Sequence, residues 1–182
     1  MLFRSLLLTP LVLVGAACGG DTGDPKVGAC EDYCDLIAAH CSGAEAQYPD
    51  RPTCLATCAA MDKGDPATHT GNTIACRTFQ AAAAELDPAG TCAGAGPGGA
   101  GVCGDDCASF CAMGDVICGA DFPYASTAEC LTACAGFTST PPFDASDLAG
   151  NTRECRLYHL TAAAIDPTLH CPHTGATSAT CI

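Results

Sequence analysis

The sequence predicts an all-α protein built from two small, disulfide-rich helical units that follow one another along the chain. Two observations support this fold class. The chain has 182 residues and 17 cysteines, a density at which crosslinks take over much of the stabilising role of a large apolar core. From Cys30 onward the cysteines form two matching sets of eight. We expect about three helices in each unit, long loops and little or no sheet.

Other residues repeat together with the cysteines. The pattern Gly-Asn-Thr-x-x-Cys-Arg occurs at 71–77 and again at 150–156, and each copy is followed by an Asp-Pro pair, at 87–88 and at 166–167. Self-similarity of this kind is the signature of an internal repeat. The sequence therefore predicts a tandem duplication.

The first residues have the organisation of an export signal. A short basic start ends at Arg4, an apolar run extends over 6–14, and small residues lead up to Cys18. These three features are typical of a secretory signal peptide. The apolar run is too short to span a bilayer, and nothing after it reaches the ~20 apolar residues of a membrane-spanning helix.

Residues 1–18 resemble the signal peptide of bacterial lipoproteins, in which the cysteine after the cleavage point receives a lipid. Ala16, Ala17 and Cys18 match that pattern, whereas Gly15 stands where leucine is usual. Ordinary cleavage after Ala17 therefore stays open as an alternative. Lipidation of Cys18 leaves an even number of cysteines for intramolecular disulfides, and Gly19, in place of an aspartate, points to the outer membrane.

The chain as a whole resembles the cysteine-rich lipoproteins of Gram-negative envelopes. The resemblance implies export and anchoring of the chain to a membrane through its lipid, or secretion if no lipid is added. The expected organisation has four segments: a signal peptide over 1–17, lipidated Cys18 with a flexible tether over 18–29, repeat 1 over 30–103 and repeat 2 over 104–182.

The cysteine spacing predicts the helices of each repeat. Cys30, Cys34 and Cys41 fall on one face of a first helix, because residues four and seven apart share a helical face. A second helix carries the next Cys-x3-Cys pair. A third helix starts at a cap, Asn72 or Thr73 in repeat 1, and stops before the Asp-Pro pair. Its predicted buried stripe in repeat 1 contains Cys76, Phe79, Ala83 and Leu86.

An exported chain meets oxidising conditions, which favour disulfides over zinc-thiolate sites. The sequence alone does not fix the pairing. The two Cys-x3-Cys motifs of each repeat look like the helical hairpins of small plant defence peptides. That resemblance implies Cys30–Cys58, Cys34–Cys54, Cys107–Cys134 and Cys111–Cys130. With those pairs taken, we expect Cys41–Cys76, Cys92–Cys103, Cys118–Cys155 and Cys171–Cys181.

Charge and motifs narrow the possible functions. Seven basic residues against 20 acidic ones give a net charge of −13, which disfavours nucleic acids and anionic membrane surfaces as partners. Gly94–Gly99 matches a dinucleotide-binding fingerprint in form only, because no strand is predicted before it; we interpret it as a flexible loop. No hydrolase, zinc-protease, phosphate-binding or calcium-binding motif is present. We therefore expect a protein without catalytic activity.

Three histidines of repeat 2 form a candidate metal site. They are His159, His170 and His173. Imidazole binds copper, zinc or nickel where thiolates are not available. The matching positions of repeat 1 hold Gln80, Thr91 and Gly94. The histidines are therefore not part of the shared scaffold, and an exposed cluster without a role is the alternative.

Arg77 and Arg156 follow the matching cysteines of the third helices. One interpretation is structural, with each guanidinium bonding carbonyls or an acidic side chain near the helix start. The other is that the two arginines bind an anionic ligand.

The sequence thus leads to three functional hypotheses. The first is a surface-anchored, disulfide-stabilised binding or adhesion module with an unknown extracellular protein or small ligand as its partner. The second is an envelope protein that binds copper or zinc through the histidine cluster, with no other cofactor expected. The third is a passive structural element of the envelope.

Overall fold

A computed structural model describes residues 25–140 and 142–182. This part of the chain contains eight α-helices and no strand; its only bridges are two isolated ones, Asp62 with Thr73 and Thr138 with Thr152. The all-α fold class is confirmed. No described helix is both long and apolar enough to cross a membrane. The predicted signal peptide over 1–17 and lipidation at Cys18 lie outside the described residues, whereas residues 25–29, predicted to belong to a flexible tether, are helical.

The two repeats have the same order of helices. Repeat 1 contains α1 (Pro25–His40), α2 (Arg51–Ala59), α3 (Ile74–Ala83) and α4 (Pro88–Ala95). Repeat 2 contains α5 (Asp106–Ile117), α6 (Thr127–Ala135), α7 (Arg153–Ala163) and α8 (Pro167–His170). Each repeat therefore has one short helix more than the three expected from the sequence.

The extra helices, α4 and α8, begin at the Asp-Pro pairs. Asp87 accepts a hydrogen bond from Gly90 N at 3.1 Å, and Asp166 accepts one from Leu169 N at 3.1 Å. An aspartate cap followed by proline at the first helical position is a strong start signal. The Asp-Pro pair follows the end of one helix and starts the next, whereas the sequence predicted only a stop there.

Helix α3 buries a different face from the one predicted. Phe79 is 44 % exposed and Leu86 is 91 % exposed, although both belong to the predicted stripe. Cys76 of the predicted stripe is buried, but the other buried positions are Ile74, Arg77 and Ala81, because α3 packs on α1 and α4 along that side. Thr73 is the cap of α3, accepting from Cys76 N at 3.2 Å.

Eight disulfides crosslink the described chain. The helical hairpins contain the pairs that the resemblance implied: Cys30–Cys58, Cys34–Cys54, Cys107–Cys134 and Cys111–Cys130. The other four predicted pairs, Cys41–Cys76, Cys92–Cys103, Cys118–Cys155 and Cys171–Cys181, are wrong. The structure instead contains Cys41–Cys92, Cys76–Cys103, Cys118–Cys171 and Cys155–Cys181.

The fourth helices explain these corrections. Cys92 lies in α4, which packs near the end of α1, so Cys92 meets Cys41 rather than Cys103. After α4 the chain turns back to the start of α3, where Cys103 meets Cys76. Repeat 2 has the same arrangement, with Cys171 following α8.

The two repeats pack against each other. Helix α2 of repeat 1 lies on α7 of repeat 2. Gln47 Nε2 donates to the carbonyl of Phe143 at 3.2 Å, and Arg77 donates to Ser109 Oγ at 3.2 Å. The duplicated units are joined by side-chain and backbone contacts as well as by the connecting chain.

Candidate metal centre

Three elements of repeat 2 carry the histidine cluster. His159 lies in the middle of α7, His170 ends α8, and His173 lies in the 3₁₀ turn Cys171–Thr174 that follows. The turn from α7 to α8 begins at the Asp166 cap, and the Cys118–Cys171 disulfide fixes the chain between His170 and His173. The chain is therefore crosslinked at the point where the three imidazoles meet.

The three rings converge within ligand distance. Nδ1 of His159 is 2.9 Å from Nδ1 of His170 and 3.4 Å from Nδ1 of His173. A ligand nitrogen from each of the three rings can be chosen so that all lie within 4.8 Å of one another. Zinc with Zn–N bonds of about 2.0–2.1 Å in tetrahedral geometry separates its ligand nitrogens by about 3.3 Å. The two separations measured from His159 differ from this value by only a few tenths of an ångström.

The surroundings of the cluster favour the neutral form of His159 and of His170. His159 is 5 % exposed, and burial, followed by the neighbouring His173 and His170, lowers its pKa to about 4. Burial and His173 also lower the pKa of His170, while Asp166 acts in the opposite direction. A metal needs the unprotonated nitrogen. At neutral pH these two rings carry a free lone pair without first having to lose a charge.

His159 also has an unpartnered nitrogen. Its Nε2 atom is buried and makes no hydrogen bond with a described residue. A buried polar atom without a partner costs free energy. An Nδ1 contact between two neutral rings needs a proton on one of them, whereas a cation bound at the three Nδ1 atoms would take a lone pair from each ring and leave the proton of His159 on Nε2.

Thiolates do not take part in this cluster. Cys155 and Cys181 lie close enough to His159 to form a second three-residue group. Their sulfur atoms, however, are bonded to each other in a disulfide. The available donors are therefore nitrogens, a set that suits zinc, copper and nickel.

Repeat 1 cannot form the same cluster. Gln80, Thr91 and Gly94 stand at the matching positions. A Cβ atom added at Gly94 would lie 3.1 Å from the Cβ of Val102, so a side chain there is crowded. The candidate metal centre thus belongs to repeat 2 alone.

Arg77 and Arg156 are buried and bonded to carbonyls of their own chain, which agrees with the structural interpretation rather than with binding of an anionic ligand. Arg77 is fully buried and donates to the carbonyls of Gly96 and Pro97, both at 3.0 Å. Arg156 donates to the carbonyl of Gly175 at 3.1 Å and stacks on Phe137, with 4.0 Å from its guanidinium carbon to the ring centroid. Burial lowers the pKa of both arginines. Their donors hold the loops that close each repeat.

The structure shows a surface that the sequence analysis missed. A cleft of about 600 Å³ runs along α3 of repeat 1 and is lined by Ala75, Thr78, Phe79 and Ala82 among others. The spacing of these residues could have indicated a common surface, because residues three, four and seven apart share a helical face. The Gly94–Gly99 segment, interpreted as a loop, begins inside α4 and continues as the loop held by Arg77.

Fold and site together define a class of protein: two tandem helical repeats stabilised by disulfides, with a histidine cluster in the second repeat. The BfoA family C-terminal domain matches the chain twice, over residues 26–106 and 107–182. The chain therefore belongs to this family and contains two tandem copies of the domain. No curated protein and no solved structure matches the chain.

Proposed function

We propose that this protein binds one transition-metal ion through His159, His170 and His173 in an oxidising compartment outside the cytoplasm. The observation that carries the proposal is the convergence of the three Nδ1 atoms, with His159 2.9 Å from His170 and 3.4 Å from His173. The role is binding without catalysis, and the ion is zinc or copper.

The chemistry of the donor set supports these metals. Three neutral imidazoles supply borderline ligands, which copper and zinc prefer to the hard oxygen ligands of calcium and magnesium. Three ligands leave the fourth tetrahedral position for water or an outside ligand. His170 and His173 are only half-buried, so the ion is reached from their side of the cluster.

The location rests on separate observations. Eight disulfides indicate folding in an oxidising environment. The lipoprotein-like sequence up to Cys18 supports anchoring in the cell envelope, at the outer membrane, with secretion as the alternative. An envelope protein of this kind would take up or buffer metal outside the cytoplasm. The adhesion module and the passive structural element stay predictions.

The test uses the exported chain, purified without an affinity tag and with its disulfides intact. After dialysis against Zn²⁺ or Cu²⁺, the bound metal is measured by mass spectrometry and the affinity by titration calorimetry. We expect one ion per chain. The double variant His170→Thr, His173→Gly, which installs the residues of repeat 1, should weaken binding at least about 100-fold, since two of three ligands are lost.

The matched control changes the two histidines of repeat 1. His40→Gln with His69→Gln removes the same number of imidazoles outside the cluster and should leave binding unchanged. His173→Gly tests the site with little risk to folding, because His173 is only half-buried. Equal zinc and copper binding by the wild type and the double variant would rule out the proposed site.

A further inference from the structure

The interface between the two repeats uses one stripe of α7. Glu154, Leu157 and Thr161, spaced at three and four residues, are all buried. Repeat 1 covers the part of this stripe that holds Leu157 and Thr161, where Thr57 Oγ1 donates to the carbonyl of Thr161 at 3.4 Å; the Glu154 carboxylate accepts from Ser139 and Thr140 of repeat 2. Where Glu154 and Leu157 meet Gly98 of repeat 1, the remaining cavity is only about 20 Å³. Repeat 2 is thus closely covered on this side.

Among the residues that the structure describes, none covers the same stripe of repeat 1. The cysteine register places Ala75, Thr78 and Ala82 of α3 at the positions of the three α7 residues. Ala82 is exposed, and the other two are only half-buried. All three line the cleft of about 600 Å³, whose described lining residues come from repeat 1. The neighbouring Phe79 is 44 % exposed.

The loops that follow the fourth helices differ in burial in the opposite sense. We call residues 96–103 and 175–181 the closing loops of the two repeats. In repeat 1, Pro97 and Gly98 of this loop are buried, and Gly98 lies against repeat 2. In repeat 2 the matching residues, Ala176 and Thr177, are exposed. The arginines fix this match, because Arg77 binds the carbonyl of Gly96 as Arg156 binds that of Gly175.

The sizes of the facing residues also correspond. A Cβ atom at Gly98 would lie 2.7 Å from Asp106 Oδ1 and 3.1 Å from Leu157 Cδ2, so the loop of repeat 1 needs glycine there. Thr177 is larger than glycine. The residues that it would face in the cleft, Ala29 and Thr78, are smaller than their counterparts Asp106 and Leu157.

We propose that the repeat 1 cleft binds a second copy of this chain, through the closing loop of that copy's repeat 2. The contact repeats the internal packing of repeat 1 on repeat 2, as stacked repeats reuse one interface. It is head-to-tail, so each copy offers one cleft and one loop, and association continues beyond the dimer unless the ring closes. The acidic chains repel one another, and salt therefore strengthens the contact by screening.

The test is analytical ultracentrifugation of the exported chain with its disulfides intact. The mean mass should rise with protein concentration. We expect a dissociation constant on the order of 100 µM, because the contact is smaller than a standard interface. Ala82→Arg charges the cleft and Thr177→Arg charges the loop. Both residues are exposed in the single chain, so the variants should fold, and each should stay monomeric.

Mixing distinguishes a head-to-tail contact from a symmetric one. The Ala82→Arg copy keeps its loop and the Thr177→Arg copy keeps its cleft, so an equimolar mixture should form dimers and nothing larger. Val116→Arg, which charges a different exposed apolar residue, is the control and should associate like the wild type. A monomeric wild type at every concentration, or association that survives both single variants, would overturn the proposal.

Discussion

The two repeats have the same scaffold and different surfaces. Both keep the eight cysteines, the arginine that holds the closing loop, and the Asp-Pro pair that starts the last helix. Repeat 2 adds three histidines where repeat 1 has Gln80, Thr91 and Gly94. Repeat 1 keeps an open cleft where repeat 2 is covered. The shared residues specify the fold, and the residues that differ are those that meet solvent, form the histidine cluster or face the neighbouring repeat.

Removing a long-range disulfide should have the largest effect. Cys41–Cys92 and Cys118–Cys171 span 51 and 53 residues. Replacing either pair by alanine should lower the free energy of unfolding by about 4 kcal/mol, because a loop of this length restricts the unfolded chain. Denaturant unfolding measures the loss.

The same two variants separate stability from metal binding. Only the Cys118–Cys171 variant should also weaken zinc binding, because Cys171 positions His170 and His173. Calorimetry on both, under conditions where they remain folded, checks this. Equal metal affinity in the two variants would show that the disulfide does not position the ligands.

Removing an arginine should have a smaller effect, and an unequal one. Arg77→Met should cost about 3 kcal/mol of unfolding free energy, because it leaves the carbonyls of Gly96 and Pro97 without partners inside the repeat interface. Arg156→Met should cost about 2 kcal/mol, since the loop it holds is exposed at Ala176. Thermal and denaturant unfolding measure both losses. An equal loss of unfolding free energy in the two variants would mean that the repeat interface does not shield the carbonyls bound by Arg77 from water.

Acid should have the smallest effect, and it acts on repeat 2. The pKa of His159 is about 4 in the fold against about 6.5 in an unfolded chain. The unfolded chain then binds more protons between these values, so the stability of the metal-free protein is complete above about pH 6.5 and falls toward pH 4. We expect a loss of about 1–2 kcal/mol after solvent screening.

The control for the acid effect is a variant in which His159 is replaced by glutamine, the residue at the matching position of repeat 1. His159→Gln should flatten the stability profile between pH 6.5 and 4 that the pKa of about 4 creates. Thermal unfolding at a series of pH values, with metal removed, measures the slope. A slope that stays the same in the variant would assign it to another group.

Part of the fold was predictable because its signals are local. The Gly-Asn-Thr motif predicts a cap, and Thr73 and Thr152 are the caps of α3 and α7. The buried face of α3 was not predictable in this way. Alanines lie on all sides of that helix, so the sequence offers several apolar faces, and the packing of α1 and α4 selects among them. Phe79 and Leu86 remain outside for this reason.

The candidate site, too, was only partly predictable from the sequence. The sequence singled out the three histidines as candidate metal ligands and showed that repeat 1 has other residues at their positions. It did not determine that His159, eleven residues before His170, would meet it at 2.9 Å. That distance depends on the turn between α7 and α8 and on the disulfide at Cys171.

The sequence by itself determined the all-α class, the duplication and the cysteine-rich framework, because helix periodicity, caps and repeated spacing are encoded by neighbouring residues. The tertiary structure decided four of the eight disulfide pairs, the structural role of the arginines and the open cleft beside a covered stripe. Each of these depends on which distant segments come together. Contacts of that kind follow from packing of the whole chain, which local spacing does not specify.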